Sequence, residues 1–312
     1  MALLNGTPFK TAQTTATANG AEVAAYDATR KLAYVLGQDG VDVLNPLTGE
    51  RLGNGLPKSA MQVPGGGDTL PLGTANSLAI RGDTLAVALD GEDGAPNGAV
   101  AFFAVDAAGT NFTWVRTVTV DAATTPGAAT FSVPDQLTFT PDGTRLLVAL
   151  EGEPRDGYAG IDPAGGVGII DVATGALTIA DFSAFDGTEA ALRASGVRIR
   201  PGTALSLDAE PEYVSVSADG TRAFVALQEN NAIAELDLAT GQITHVMPLG
   251  TKDFSAPGAG IDPSDRDNVA AVREVPVSGL YMPDGIATFA YEEFGRLLKS
   301  DNGDSENRHD EH

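Results

Sequence analysis

The residues with the most chemistry to offer are acids that recur in register. Glu22, Asn76, Asp135, Glu212 and Asp284 each stand at the head of a short alternating strand. A turn and a nearly unbroken apolar run follow, ending at Leu36, Leu89, Leu150 and Leu227, with Leu298 as a fifth copy. Glu210 adds a second carboxylate beside Glu212. Side-chain oxygens brought to one rim suit a hard cation such as Ca2+, which takes about six to eight oxygen ligands. The candidate metal ligands are therefore Glu22, Asp135, Glu210, Glu212 and Asp284. Capping of backbone N–H groups where strands begin is the competing explanation for the same residues.

A second acidic set follows each apolar run. It comprises Asp90, Glu92 and Asp93, then Glu151 and Glu153, then Glu229 with Asn230 and Asn231. Asp301 and Asp304 would be a fifth copy. If each unit is a hairpin, these loops emerge beside the strand heads and add to the same rim. Simple solvation of loops is the alternative.

Other chemistries fare worse. With no cysteine there is no disulfide, thiolate metal site or cysteine nucleophile. His245, in QITHVMPLG, is the only histidine outside the tail, and no nucleophile-elbow motif accompanies it. A hydrolase built from carboxylates and metal ions stays open; Arg155 and Arg266 are the cations that would hold a phosphate there. Gly260 to Asp267 (GIDPSDRD) lacks the glycine and bidentate glutamate of a calcium-binding EF-hand loop and reads as an exposed turn, with Arg266 paired to a neighbouring acid. Pro64-Gly65-Gly66-Gly67 lacks the Lys-Ser/Thr of a phosphate-binding loop. Trp114, in NFTWVRTVTV, reads as packing.

The elements that must position the acids form a repeat. Glu22 to Leu36, Asn76 to Leu89, Asp135 to Leu150 and Glu212 to Leu227 each read strand, turn, apolar strand. Pro141-Asp142-Gly143 and Ala218-Asp219-Gly220 use residues that tolerate the positive φ of a tight hairpin. The second strands (LAYVL, LAVAL, LLVAL, AFVAL) lack alternation, as strands covered on both faces do. A second hairpin, with an Asp or Asn and then Thr-Gly, follows in VDVLNPLTGE, VGIIDVATGA and IAELDLATGQ, and more loosely in AVAFFAVDAAG. Two hairpins make a four-stranded antiparallel blade, so the fold expected is an all-β propeller. The surplus length falls in loops at 51–75, 151–166, 181–211 and 248–283.

The formal charge of −23, from 42 acidic and 19 basic residues, argues against nucleic acid and anionic membrane surfaces as partners. No run approaches the ~20 apolar residues of a membrane span. MALLNGTPFKTAQTT has neither a basic region nor an apolar run of signal-peptide type, which leaves a removed leader, another export route, or retention inside. No organic cofactor motif is present.

The individual stretches AEPEYVSVSADGTRAFVALQENNAIAELDLATGQ, MPLGTKDFS and GIDPSDRD, with GTANSLAIRGDTLAVAL, PDQLTFTPDGTRLLVALEGEP, DFSAFDG and YMPDGIATF, closely resemble the bacterial choice-of-anchor I proteins. Those are relatives of the echinoderm mesenchyme-specific cell surface glycoprotein, and some members carry an alkaline-phosphatase-like description. The resemblance spans residues 20–289. It implies a seven-bladed YVTN/WD-like propeller, secreted or surface-attached, with a link to biomineralisation or phosphate metabolism. It also implies a departure from the family pattern after Phe289. The organisation expected is 1–20 as a possible closing strand, 21–290 as blades and 291–312 as a polar tail. Four blades and a fragment then make either an incomplete seven-bladed ring or a closed five-bladed one. The partner is a protein, a mineral or a small molecule, and the location is extracellular or cell-surface.

Overall fold

The computed structural model describes residues 20–61, 72–91, 98–120, 133–152, 163–289 and 297–301. Short turns between apolar runs leave each strand one nearby partner, so the chain folds as successive antiparallel meanders. The first blade is β1 (Ala21–Asp27), β2 (Leu32–Gly37), β3 (Gly40–Leu44) and β4 (Leu56–Pro57). A one-turn helix, α1 (Lys58–Met61), follows. The second blade is β5 (Leu72–Arg81), β6 (Thr84–Gly91), β7 (Ala99–Val105) and β8 (Phe112–Thr119). The third is β9 (Val133–Phe139), β10 (Arg145–Glu151), β11 (Gly166–Asp171) and β12 (Leu177–Asp181).

Two short helices, α2 (Glu189–Ser195) and α3 (Leu205–Asp208), occupy the long connection to the fourth blade. That blade is β13 (Pro211–Val216), β14 (Arg222–Leu227), β15 (Ala232–Asp237) and β16 (Gln242–Pro248). Two hairpins follow, β17 (Thr251–Asp253) with β18 (Ser278–Leu280), and β19 (Gly285–Phe289) with β20 (Leu297–Asp301). This is the all-β, four-stranded-blade architecture of a β-propeller. The chain forms two compact units, Met1–Val120 and Asp121–His312.

The turn chemistry is local and repeated. In the third blade Asp142 accepts from the Thr140 hydroxyl at 2.6 Å and from the Thr144 N–H at 3.0 Å. In the fourth, Asp219 does the same with Ser217 at 2.6 Å and Thr221 at 3.1 Å. Gly143 and Gly220 then take φ of 73° and 69°, which only glycine adopts without strain. In the outer hairpins Asp171 and Asp237 accept from the N–H of Thr174 and Thr240 at 2.8 and 2.9 Å. The Asp…Thr-Gly signature is thus an Asx turn.

Within each unit the blades pack face to face. In the first, Tyr34, Leu36, Val41 and Val43 meet Leu85, Val87, Ala101 and Phe103, and the Tyr34 hydroxyl donates to Gly109 O at 3.0 Å. In the second, Leu147, Ala149, Val167 and Phe182 meet Val214, Val225, Ala234 and Leu236, with Val216 against the edge of that core. Each fully buried Val, Leu or Phe among them contributes about 1.5–3 kcal/mol. Strands β6, β10 and β14 are buried on both faces. The expectation fails at β2, whose Ala33, Val35 and Gly37 stay half-exposed. Among the described residues the first blade packs one face against the second, and β2 keeps an alternating burial pattern.

The fifth repeat is also longer than its sequence count. Leu298 pairs with Thr288 and Asp301 with Gly285, so the strand opposite Asp284 runs on past Leu298 and beyond residue 290. Residues 1–19, where a closing strand was expected, lie outside the described residues.

Candidate functional site

Each blade's innermost strand carries a β-bulge, and the recurring acid or asparagine sits in it. In β1 the ladder jumps from Ala21 opposite Gly37 to Val23 opposite Leu36, leaving Glu22 as the extra residue. In β5 it jumps from Ala75 opposite Leu89 to Ser77 opposite Ala88, leaving Asn76. In β13 it jumps from Pro211 opposite Leu227 to Tyr213 opposite Ala226, leaving Glu212. In β9 the partners pass from Pro134–Leu150 to Leu137–Val148, so Asp135 and Gln136 share the place opposite Ala149. A bulge adds one residue, bends the strand and re-aims a side chain.

The second unit brings its acids together. Strand β13 packs beside β9 on one side and β19 on the other. Gln136 bridges the first seam: its Oε1 accepts from the Val214 N–H at 2.8 Å. At the second seam Thr288 donates its N–H to Ser215 Oγ at 3.0 Å and its hydroxyl to Val216 O at 2.6 Å. The heads of these strands hold Asp135, Glu212 and Asp284, all half-buried. Glu151, at the end of β10, and Glu229, just past β14, reach the same place. Burial, then Glu151, Glu229, Asp135 and Asp284 in that order, push the Glu212 carboxyl up to about 10. Burial and then Asp284 push Asp135 up to about 6. Burial and Asp284 also raise the Tyr213 phenol.

Four carboxylates from three successive repeats therefore act on Glu212. Like charges held close in a partly desolvated place either keep a proton or attract a cation. Among the described residues no group of three His, Asp or Glu side chains is already arranged to hold a metal ion. A divalent ion would therefore need the carboxylates to close in.

Glu22 is exposed in the first unit and lines a shallow pocket with Lys58, Met61, Thr74 and Ala75. Glu210 is buried at the head of β13, only 6% exposed. Glu92, Asp93, Glu153, Arg155 and Asp304 lie outside the described residues, as does the Pro64–Gly67 loop. Arg266 is exposed and 3.8 Å from Asp265, as a solvated turn predicts. His245 stands exposed on β16, 3.8 Å from Glu235. Trp114 packs on the core of the first unit and donates to Thr117 Oγ1 at 3.1 Å.

Asn230 and Asn231, grouped above with the acids, tie together the segments around the site. The Asn230 amide donates to Arg198 O and Asp208 O at 2.9 and 3.0 Å. Asn231 takes φ of 50° and bonds on both sides of the hairpin that follows. Sequence reasoning also missed Arg198, whose exposed guanidinium donates to Glu229 O at 3.0 Å. It missed the signal that marks the bulges as well. Pro134-Asp135, Pro211-Glu212 and Pro283-Asp284 share a buried proline before the acid. Proline cannot donate to a ladder and is confined to strand starts and bulges.

Successive four-stranded antiparallel sheets of this kind are the build of a β-propeller protein. The chain belongs to the choice-of-anchor I domain family, whose model matches residues 22–312. That match corrects the expected departure after Phe289, since the family pattern runs on to His312. No curated protein matches the sequence significantly.

Solved structures that resemble it include hydrazine synthase of Kuenenia stuttgartiensis, at 16% identity and TM-score 0.44 over 72% of this chain and 61% of that one. The N-terminal domain of Nup159 matches at 11% identity and TM-score 0.46 over 91% and 63%. A luciferin-regenerating enzyme matches at 12% identity and TM-score 0.40 over 73% and 60%. The chain thus corresponds to about three fifths of the length of each. Among the described residues no helix is long and apolar enough to cross a membrane.

Proposed function

We propose that this chain is an extracellular or cell-surface binding module that takes a divalent cation, Ca2+ first among them, at the acidic rim of its second unit. The observation behind this reading is the position of Glu212. It lies in a bulge, partly buried, and the four charges acting on it most strongly are all negative. An ion gathering Asp135, Glu151, Glu212, Glu229 and Asp284 would relieve that repulsion with the hard oxygen ligands Ca2+ prefers. Extracellular Ca2+ modules bind at roughly 10⁻⁴–10⁻³ M, so a site of this class works outside the cell. The ion can be free or part of a mineral or partner surface.

Calorimetry with CaCl2 tests the reading. Wild type is expected to bind in the millimolar range and Glu212→Gln to bind more weakly; no heat from wild type at millimolar CaCl2 would overturn it. Metal-dependent phosphohydrolysis is the second reading, and Arg198 favours it, because an exposed guanidinium that donates to the Glu229 main-chain carbonyl has further N–H groups with which to hold a phosphate. Turnover of p-nitrophenyl phosphate that needs Ca2+ and is lost in Arg198→Ala would select it. No turnover leaves the non-catalytic reading.

A further inference from the structure

The hairpin β17–β18 and its long loop leave the fourth blade at Leu249 and return at Tyr281, and one side chain closes the base. Asn231 is fully buried. Its Nδ2 donates to Gly250 O at 2.8 Å, on the outgoing segment. Its Oδ1 accepts from the N–H of Tyr281 at 2.8 Å and of Met282 at 3.1 Å, on the returning one. Its own carbonyl accepts from the Leu249 N–H at 3.0 Å. The backbone is held to this geometry on both sides: Asn231 has φ of 50° and Met282 φ of 43°, a region L-residues adopt at a cost. Two residues before Asn231 is Glu229, and two residues after Met282 is Asp284.

We infer that Asn231 is a positioning residue that couples the acidic rim to the base of this hairpin, so that filling the rim and fixing residues 250–282 are one event. The inference rests on the cation reading above for its ligand, and on the Asn231 contacts for its mechanism. A cation that draws Glu229 and Asp284 together pulls on the two segments that Asn231 joins. It thereby tightens the three bonds that set the outgoing and returning segments. The hairpin is the natural reporter, because it exposes Val272, Val277, Leu280 and Tyr281. Linkage requires the converse: loosening the clamp must weaken the ion by the same factor.

The test uses wild type and Asn231→Gly, which keeps the positive φ and removes the side chain. Asn268→Gly, at another left-handed position (φ 57°) in an exposed loop, is the control. Calorimetry with CaCl2 is expected to show roughly tenfold weaker binding in Asn231→Gly, the low end of what losing an outer-shell partner costs. Asn268→Gly should bind as wild type does. Hydrogen exchange should show CaCl2 slowing the Tyr281 and Met282 amides in wild type and not in Asn231→Gly.

If wild type binds Ca2+ while exchange at Tyr281 and Met282 stays unchanged, the coupling is overturned and the cation reading stands. If wild type binds none, the cation reading falls, and exchange without Ca2+ decides the coupling. Asn231→Gly should then speed the amides of Glu212 and Tyr213 across the rim as well as those of Tyr281 and Met282. Loosening confined to residues 281 and 282 would overturn it.

Discussion

The two units use one backbone device for different ends. In the first, the bulges of β1 and β5 present Glu22, which is exposed, and Asn76, which is uncharged. In the second, the bulges of β9 and β13 present Asp135 and Glu212 behind buried prolines, and Asp284 follows the same Pro-acid pattern ahead of β19. The bulge is therefore a feature of the blade, and the chemistry comes from the residue placed in it and the neighbours it meets.

Glu212 gives the largest expected contrast. Its folded value, about 10, lies above the ordinary 4.5, so the folded state holds a proton that the unfolded chain releases. Stability should be full below about pH 4.5 and fall as pH rises above it toward the folded value. Glu212→Gln should flatten that fall in urea unfolding measured across pH without added cation, while Glu22→Gln should leave it in place. Equal flattening by both variants would break the contrast between the units.

Gly165 tests how tightly the third and fourth blades meet at the rim. A Cβ there would run into the Ala209 carbonyl oxygen and approach Pro211 Cδ to 2.8 Å. Gly165→Ala should cost about 3 kcal/mol, the upper end of overpacking, read as a shift of the urea midpoint. Asp135→Asn should act like Glu212→Gln over a narrower window. Stability gained from the raised carboxyl is full below 3.8 and lost by about pH 6, so only that interval should flatten. The smallest effect has the opposite sign. The Thr140 hydroxyl and the Thr144 N–H and hydroxyl hold Asp142 down at about 2. Its contribution is present above 3.8 and lost as pH falls toward 2. Asp142→Ala should lower the melting temperature slightly at pH 6 and not at pH 2.

Much of this was legible in the sequence because it is local. Asp142-Gly143, Asp219-Gly220 and Asp…Thr-Gly specify turns within a few residues, and unbroken runs such as LLVAL specify buried strands. Register alone aligned Asp135, Glu212 and Asp284. Reading LAYVL as covered on both faces failed because burial depends on which neighbour a blade receives, and composition does not encode that. Asn230 and Asn231 look like cation ligands beside Glu229. Their role as clamps depends on Asp208 and on residues 250, 281 and 282, which lie far away in sequence. Arg198 was invisible for the same reason. The Pro-acid pairs were in plain view, and their meaning needed the ladder shift at Pro211 and Tyr213.

The measurement that most directly tests the central claim, that bulges gather the acids of the second unit into one coupled cluster, is a 13C NMR titration of the Glu212 carboxyl. Without divalent cation its midpoint should lie well above the ordinary 4.5. Glu151→Gln and Asp284→Asn should each lower that midpoint, and millimolar CaCl2 should lower it as well. A midpoint near the ordinary 4.5 that is indifferent to both substitutions would contradict the account.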